Sequence, residues 1–244
     1  MKILGVRVDE ADRKEAETAV GQLIAAFRRG EGSCSQVVTI NPEGVWLAKS
    51  DPELKQIIAD AALVTADGSG ILWAAEKLGT PLRERVTGID LLERLCELAA
   101  AEGWRVFLLG AVEGVAKAAG EELCRRYPGL IIAGVDNGYF RDREGEVLGE
   151  IAAAKADILF AALGMPFQEK WLHANRDKLN CGVMMGVGGS FDVISGLVRR
   201  APRWMQKLRL EWLWRLLSDP KRWRRYLVIP AFMSAVKKES REKS

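Results

Sequence analysis

Histidine is almost absent from this chain of 244 residues: His173 is the only one. A nucleophilic triad or an imidazole metal cluster has too little to work with, and His173 reads as a half-exposed helical residue without chemistry. Cysteine is scarce as well. The four residues Cys34, Cys96, Cys124 and Cys181 include no C-x-x-C pair, which argues against a zinc site and for free thiols in a reducing compartment. No G-x-x-x-x-G-K-[ST] is present, so a P-loop is excluded. No clean G-x-G-x-x-G opens a strand–helix unit. Residues 110–114 (GAVEG) and 186–190 (GVGGS) are degenerate versions, which leaves a nicotinamide-dependent oxidoreductase poorly supported. No D-x-D occurs either, so a divalent metal held on a diphosphate by paired carboxylates is not expected. Long apolar runs are missing too. The stretch 181–198 contains Asp192 and five glycines, a poor spanning helix. The opening MKILGVRVDEADRKE is too short in apolar residues for a signal-peptide core. These two points predict a chain that stays in the cytoplasm.

What is present is ordinary in bulk and uneven in detail. Hydrophobic residues make up 48% and charged residues 28%, the range of a soluble globular protein. The length fits one large domain, or one domain with an appendage. The formal net charge of +3 conceals a split. Residues 1–198 hold 22 Lys/Arg against 29 Asp/Glu, whereas 199–244 hold 14 against 4. The second stretch also carries Trp204, Trp212, Trp214 and Trp223, half of the 8 tryptophans. Such asymmetry points to two surfaces with different partners.

Up to residue 198, short β-branched or apolar runs alternate with helical patterns. Runs at 37–40, 63–66, 105–109, 130–135, 157–163 and 182–187 each lead into a turn and then helical spacing. This pattern predicts an α/β fold: a Rossmann-like, mainly parallel sheet with helices on both faces. In the opening ILGVRV, Val6-Arg7-Val8 alternates and turn residues follow, which points to a small antiparallel piece. From Arg203 to Lys238 there is no strand signal. Apolar residues at 204, 205, 208, 212, 213 and 216 keep helical spacing. Asp219-Pro220 reads as an N-cap with proline at the first helical position. Pro230 is expected to break or kink the helix that follows. The predicted division is therefore an α/β core over 1–198 and a helical, basic, tryptophan-rich appendage over 199–244.

Four of the strand ends carry glycine: 67–70 (DGSG), 110–111 (GA), 164–166 (GMP) and 186–190 (GVGGS). In open parallel sheets, ligands bind at the carboxyl ends of strands. Glycine there lets a ligand approach the backbone, and the next helix offers free N–H groups suited to phosphate. One such turn says little; four suggest a nucleotide or sugar phosphate. Asp67 stands at one of them, where a carboxylate is placed to act as a general base toward a sugar hydroxyl. Position alone slightly favours another role, capping the next helix through Ser69 or Gly70. Thr39 and Asn41 end a neighbouring strand and line the crevice, or form an ordinary turn and cap. Gln168 follows a proline turn and bonds either a ligand or its own helix end.

The runs TINPEGV (39–45), ADGSGI (66–71), RVTGIDLL (85–92), FLLGA (107–111), GYF (138–140), ALGMPFQEKW (162–171) and GVGGSFDVISG (186–196) occur in that order, followed by RAPRWMQKLRLEWLWRLLSDPKRWRRY (200–226). In order and spacing the chain resembles the WecG/TagA/CpsF glycosyltransferase family over nearly its whole length, and is most similar to the type that makes the wall teichoic acid linkage unit. The resemblance implies an inverting, metal-independent transfer of N-acetylmannosamine from UDP-N-acetylmannosamine to undecaprenyl-diphosphate-N-acetylglucosamine. It implies Asp67 as the base, Thr39 and Asn41 beside it, and Gln168 as a polar residue positioning a sugar. Gly110, Ala111, Gly164, Gly188, Gly189 and Asp192 match the region that holds UDP. Arg215, Arg222 and Arg225 match tail arginines that close over the site and stabilise the diphosphate. No cofactor is implied.

The tail suits the interface of an anionic membrane, which implies a peripheral protein on the inner face of the cell membrane. Docking of the tail on the acidic core, or burial in a dimer or trimer, are the other readings. UDP-N-acetylmannosaminuronic acid or UDP-glucose are alternative donors. A nucleic-acid-binding protein with a basic tail is the alternative from another class, and it leaves the ordered motifs unexplained.

Overall fold

A computed structural model describes residues 1–202, 204–205, 211, 213–214 and 227–242. Its body is a six-stranded parallel sheet. The strands are β3 (Ser35–Ile40), β4 (Leu63–Ala66), β5 (Arg105–Gly110), β6 (Ile131–Asp136), β7 (Ile158–Ala162) and β8 (Val183–Gly186), in the order β4-β3-β8-β7-β5-β6. A separate antiparallel ribbon of β1 (Lys2–Ile3) and β2 (Val6–Arg7) opens the chain, as the alternation at 6–8 predicts.

The helices are α1 (Arg13–Arg28), α2 (Pro42–Ser50), α3 (Pro52–Asp60), α4 (Ser69–Lys77), α5 (Gly88–Glu102), α6 (Val115–Arg126), α7 (Glu144–Ala154), α8 (Phe167–Leu179), α9 (Ser190–Ile194) and α10 (Val228–Glu242). Sequence sets their ends. Asp12 caps α1 in a capping box with Glu15, Asn41 and Asp51 cap α2 and α3 ahead of a proline, and Thr87 caps α5.

Side chains alternate across a strand, so each strand feeds two layers. Val37, Val106, Leu108, Phe160 and Met185 face one layer, covered by α1, α5, α6 and α9. On the other face, Val38, Ile40 and Val64 lie under α2, α3, α4 and α10. Phe107, Leu109, Leu159 and Met184 lie under α7 and α8. The two clusters on this second face are separate. The seam between them is polar: Gln36 of β3 is buried there and donates from Nε2 to the Glu169 carbonyl of α8 at 3.1 Å.

The end of the chain is part of this core. Phe232 and Val236 of α10 are fully buried in the cluster that contains Ile3 and Val6. Leu4 N donates to Glu239 Oε2 at 2.9 Å, and Ser240 Oγ donates to the Lys77 carbonyl at 2.7 Å. Docking on the core therefore holds for residues 228–242. Pro230 corrects the sequence expectation: it neither breaks nor kinks the helix, because it sits in the first turn of α10, where a missing N–H is harmless. Asp219-Pro220 lies outside the described residues.

Ahead of that helix, Arg200 pairs with Asp90 at 2.6 Å and with Glu211 at 3.3 Å, while Arg85 pairs with Glu211 at 2.9 Å. The start of the tail is thus fastened to residues 85–90. Cys34, Cys96 and Cys181 are buried free thiols, and Cys124 is an exposed one.

Candidate functional site

Strands β3 and β8 are neighbours, yet the chain leaves them toward opposite faces. After β3 it enters α2 on one layer, and after β8 it enters α9 on the other. This divergence opens the crevice where open α/β sheets take ligands. Asp67, Thr39 and Asn41 stand on its β3/β4 flank. The turns at 110–111, 164–166 and 186–190 stand on its β8/β7/β5 flank. The sequence reading thus gathers at one end of one sheet.

Asp67 directly precedes the cap position of α4. That helix starts at Ser69, and its cap position is Gly68 with φ of 92°. Asp67 Oδ2 accepts a long bond from Gly88 N at 3.4 Å. The half-buried carboxylate is thereby held beside the first residue of α5. Thr39 abuts the same point, since a Cβ on Gly88 would lie 3.0 Å from Thr39 Oγ1. Asn41 uses Oδ1 to cap α2 through Gly44 N at 2.8 Å, which leaves its Nδ2 as the donor for another partner. The motifs interlock through missing side chains: a Cβ on Gly70 would meet Pro42 at 2.5 Å, and one on Gly44 would meet Met165 Sδ at 2.5 Å.

On the other flank, Gly110 has φ of 123°, and a Cβ there would lie 2.5 Å from the Ala162 carbonyl oxygen. Only glycine allows β5 to run this close to β7 at the strand end. Ala111 N donates to that carbonyl at 3.0 Å, so it is committed within the protein. Gln168 is more deeply placed than its position at a helix start suggests. Its Oε1 accepts from Gly164 N at 3.0 Å and from Gly188 N at 3.1 Å, and its Nε2 donates to Glu169 Oε1 at 2.8 Å. Gln168 is buried, with both ends of its amide engaged. Gly164 and Gly188 therefore shape the flank and spend their N–H groups on Gln168. Gly189 and half-buried Asp192 stand at the start of α9. Arg215, Arg222 and Arg225 lie outside the described residues.

Two features escaped the sequence reading. Tyr139 is 74% exposed just beyond β6, with exposed Val112 just after β5 and exposed Phe167 at the start of α8, at the same edge of the sheet. An aromatic placed there is a stacking surface, and only the GYF motif hinted at it. The second is Glu169, buried with Gln36 in the polar seam. Burial pushes its carboxyl up to about 7, against a smaller opposing effect of the Gln168 amide.

A folded-state value above the unfolded one favours the protonated form. Its stabilising contribution is complete below about pH 4.5 and is lost as pH rises through 7. A shift of this size is worth about 3 kcal/mol. E169Q cannot ionise, so its stability relative to the wild type should rise by about 2–3 kcal/mol between pH 5 and pH 8. Urea unfolding of both proteins at the two pH values checks this; a constant difference would mean that Glu169 does not titrate in that window.

Among the described residues, no three His, Cys, Asp or Glu side chains converge as metal ligands. No helix there is long and apolar enough to cross a membrane.

Known proteins resemble this chain over most of its length. The family model described as "Glycosyl transferase WecG/TagA/CpsF family" matches residues 1–244. Three relatives share the name N-acetylglucosaminyldiphosphoundecaprenol N-acetyl-beta-D-mannosaminyltransferase. The protein of Bacillus spizizenii (strain ATCC 23059 / NRRL B-14472 / W23) is 40% identical over 205 residues, 84% of this chain and 79% of its own length. That of Bacillus subtilis (strain 168) is 38% identical over 207 residues, covering 85% and 80%. That of Staphylococcus aureus (strain MW2) is 37% identical over 206 residues, covering 84% and 81%. A family match over the whole length, together with relatives up to 40% identical over 84% of the chain, means that this chain belongs to the WecG/TagA/CpsF glycosyltransferase family.

Proposed function

We propose that this protein transfers N-acetylmannosamine from UDP-N-acetylmannosamine to undecaprenyl-diphosphate-N-acetylglucosamine, with inversion, in the synthesis of the wall teichoic acid linkage unit. The observation that carries the reading is the two-sided crevice. A carboxylate, Asp67, stands on the flank opposite the glycine turns. The names of the relatives supply the sugar and the lipid acceptor.

In this mechanism the donor lies over the β8/β7/β5 flank. Its base rests against the exposed Tyr139 ring, and its ribose and diphosphate lie near Asp192 and the turns at 110–111, 164 and 188–189. The acceptor sugar enters on the β3/β4 flank beside Thr39 and Asn41. Asp67 takes the proton from its hydroxyl as that oxygen attacks the anomeric carbon. The bond to UDP breaks on the opposite side, so one displacement inverts the linkage. The developing diphosphate charge is met by Arg215, Arg222 and Arg225 rather than by a metal.

In the same reading, residues 1–198 hold the reactants and 199–244 meet an anionic membrane on its inner face. Support comes from the 14 basic against 4 acidic residues of that stretch, and from exposed Leu197, Trp204 and Leu227.

The test is product formation from a short lipid-linked N-acetylglucosamine diphosphate with a panel of UDP-sugars. A β-linked N-acetylmannosamine disaccharide supports the proposal. Transfer only from UDP-glucose or the uronic acid would replace the donor, and no transfer from any would overturn the reading.

A further inference from the structure

Among the described residues, three buried side-chain oxygens have no hydrogen-bond partner: Gln36 Oε1, Glu169 Oε2 and Asp136 Oδ2. Two of them belong to the polar seam beneath the crevice, an arrangement that ordinary core residues would avoid. The seam has a specific geometry. The Gln168 amide is bonded at both ends, and its two orientations are not equivalent. In the observed one, Oε1 receives the Gly164 and Gly188 N–H groups and Nε2 gives its hydrogen to Glu169 Oε1. In the flipped one, Nε2 would face two N–H donors, and Oε1 would face an oxygen of Glu169. Gly186 makes the site possible, because a Cβ there would lie 2.3 Å from Gln168 Nε2 and 2.8 Å from Glu169 Oε1.

We infer that Glu169 is a positioning residue for the donor: it fixes the Gln168 amide, and that amide clamps the turns at the ends of β7 and β8 in the shape that receives the UDP diphosphate. The inference rests on the proposed donor site. Glu169 touches no reactant. Its backbone is held in turn by Gln36 Nε2 from β3, so the clamp joins the three strands β3, β8 and β7 that border the crevice.

Three variants separate positioning from general stability. E169M keeps volume and removes the acceptor, E169Q keeps an acceptor, and G186A keeps the Glu169 carboxylate but crowds it and the Gln168 amide out of their contact. UDP affinity is measured by calorimetry at pH 7.5, after circular dichroism has confirmed that each variant is folded. Hydrogen exchange of the Gly164 and Gly188 amides is measured without ligand.

In E169M and G186A, UDP affinity should fall roughly tenfold, the scale of one buried group left unpaired. Protection of the two glycine amides should fall by a similar factor, and E169Q should restore most of both. A folded E169M or G186A with wild-type affinity and protection would overturn the inference. Should E169M fail to fold, G186A and E169Q carry the test: loss in the first and retention in the second supports the clamp, and any other pattern rejects it. Absence of UDP binding by the wild type would refute the donor reading, whereas the exchange measurement reads the clamp independently.

Discussion

D67N is expected to bind UDP within a few-fold of the wild type and to turn over about 10² to 10⁴ times more slowly. The substitution is nearly isosteric. Asn Oδ1 can still accept from Gly88 N, so the long bond at 3.4 Å survives and the crevice keeps its shape. What disappears is the capacity to take a proton. A role in capping α4 would predict another outcome, little change in either stability or rate, since asparagine caps about as well as aspartate. Steady-state kinetics with a lipid-linked acceptor, set beside UDP calorimetry, separates the cases. A folded D67N enzyme at near wild-type kcat would remove Asp67 from the chemistry.

F232A is expected to lower the unfolding free energy by about 3–5 kcal/mol, the usual consequence of emptying a fully buried phenylalanine site. Phe232 has no exposed surface, and its neighbours come from distant parts of the chain: the β1–β2 ribbon, α2 and α4. Collapse around the vacancy would have to move several elements at once, which places the expected value in that range. Urea unfolding of the full chain measures it. A loss below about 1 kcal/mol would mean that α10 contributes little to the fold, and the tail would then be an appendage throughout.

Much of the fold was legible because its signals are local. Six β-branched or apolar runs became the six parallel strands, and the alternation at 6–8 fell in the ribbon. The glycine turns were legible for the same reason, as positive φ at Gly110, Gly164 and Gly188 is a local demand. Other parts depend on pairs far apart in sequence. Asn-Pro at 41–42 allowed a cap or a pocket residue, and only the bond to Gly44 N assigns Oδ1 to the cap.

Gln168 and Glu169 are adjacent residues of one helix, and adjacent polar positions normally face different surroundings. Both are buried here because the start of α8 meets the end of β8 where Gly186 leaves room. No periodicity announces that. Likewise, the basic tail looked separable because charge counts ignore position. Three of its features are invisible in the counts: Phe232, Val236 and the Glu211 bridge between Arg85 and Arg200.

The placement of α10 also has a consequence for the order in which the molecule is made. The β1–β2 ribbon, α2 and α4 leave the ribosome early, while α10, which packs against them, leaves after every other described element of their cluster. Throughout synthesis of the intervening residues, the apolar surface that α10 buries on them stays uncovered. A nascent chain presents bare apolar surface beside an unfinished parallel sheet, the kind of surface that invites aggregation or chaperone capture. Completion of this cluster is therefore tied to arrival of α10.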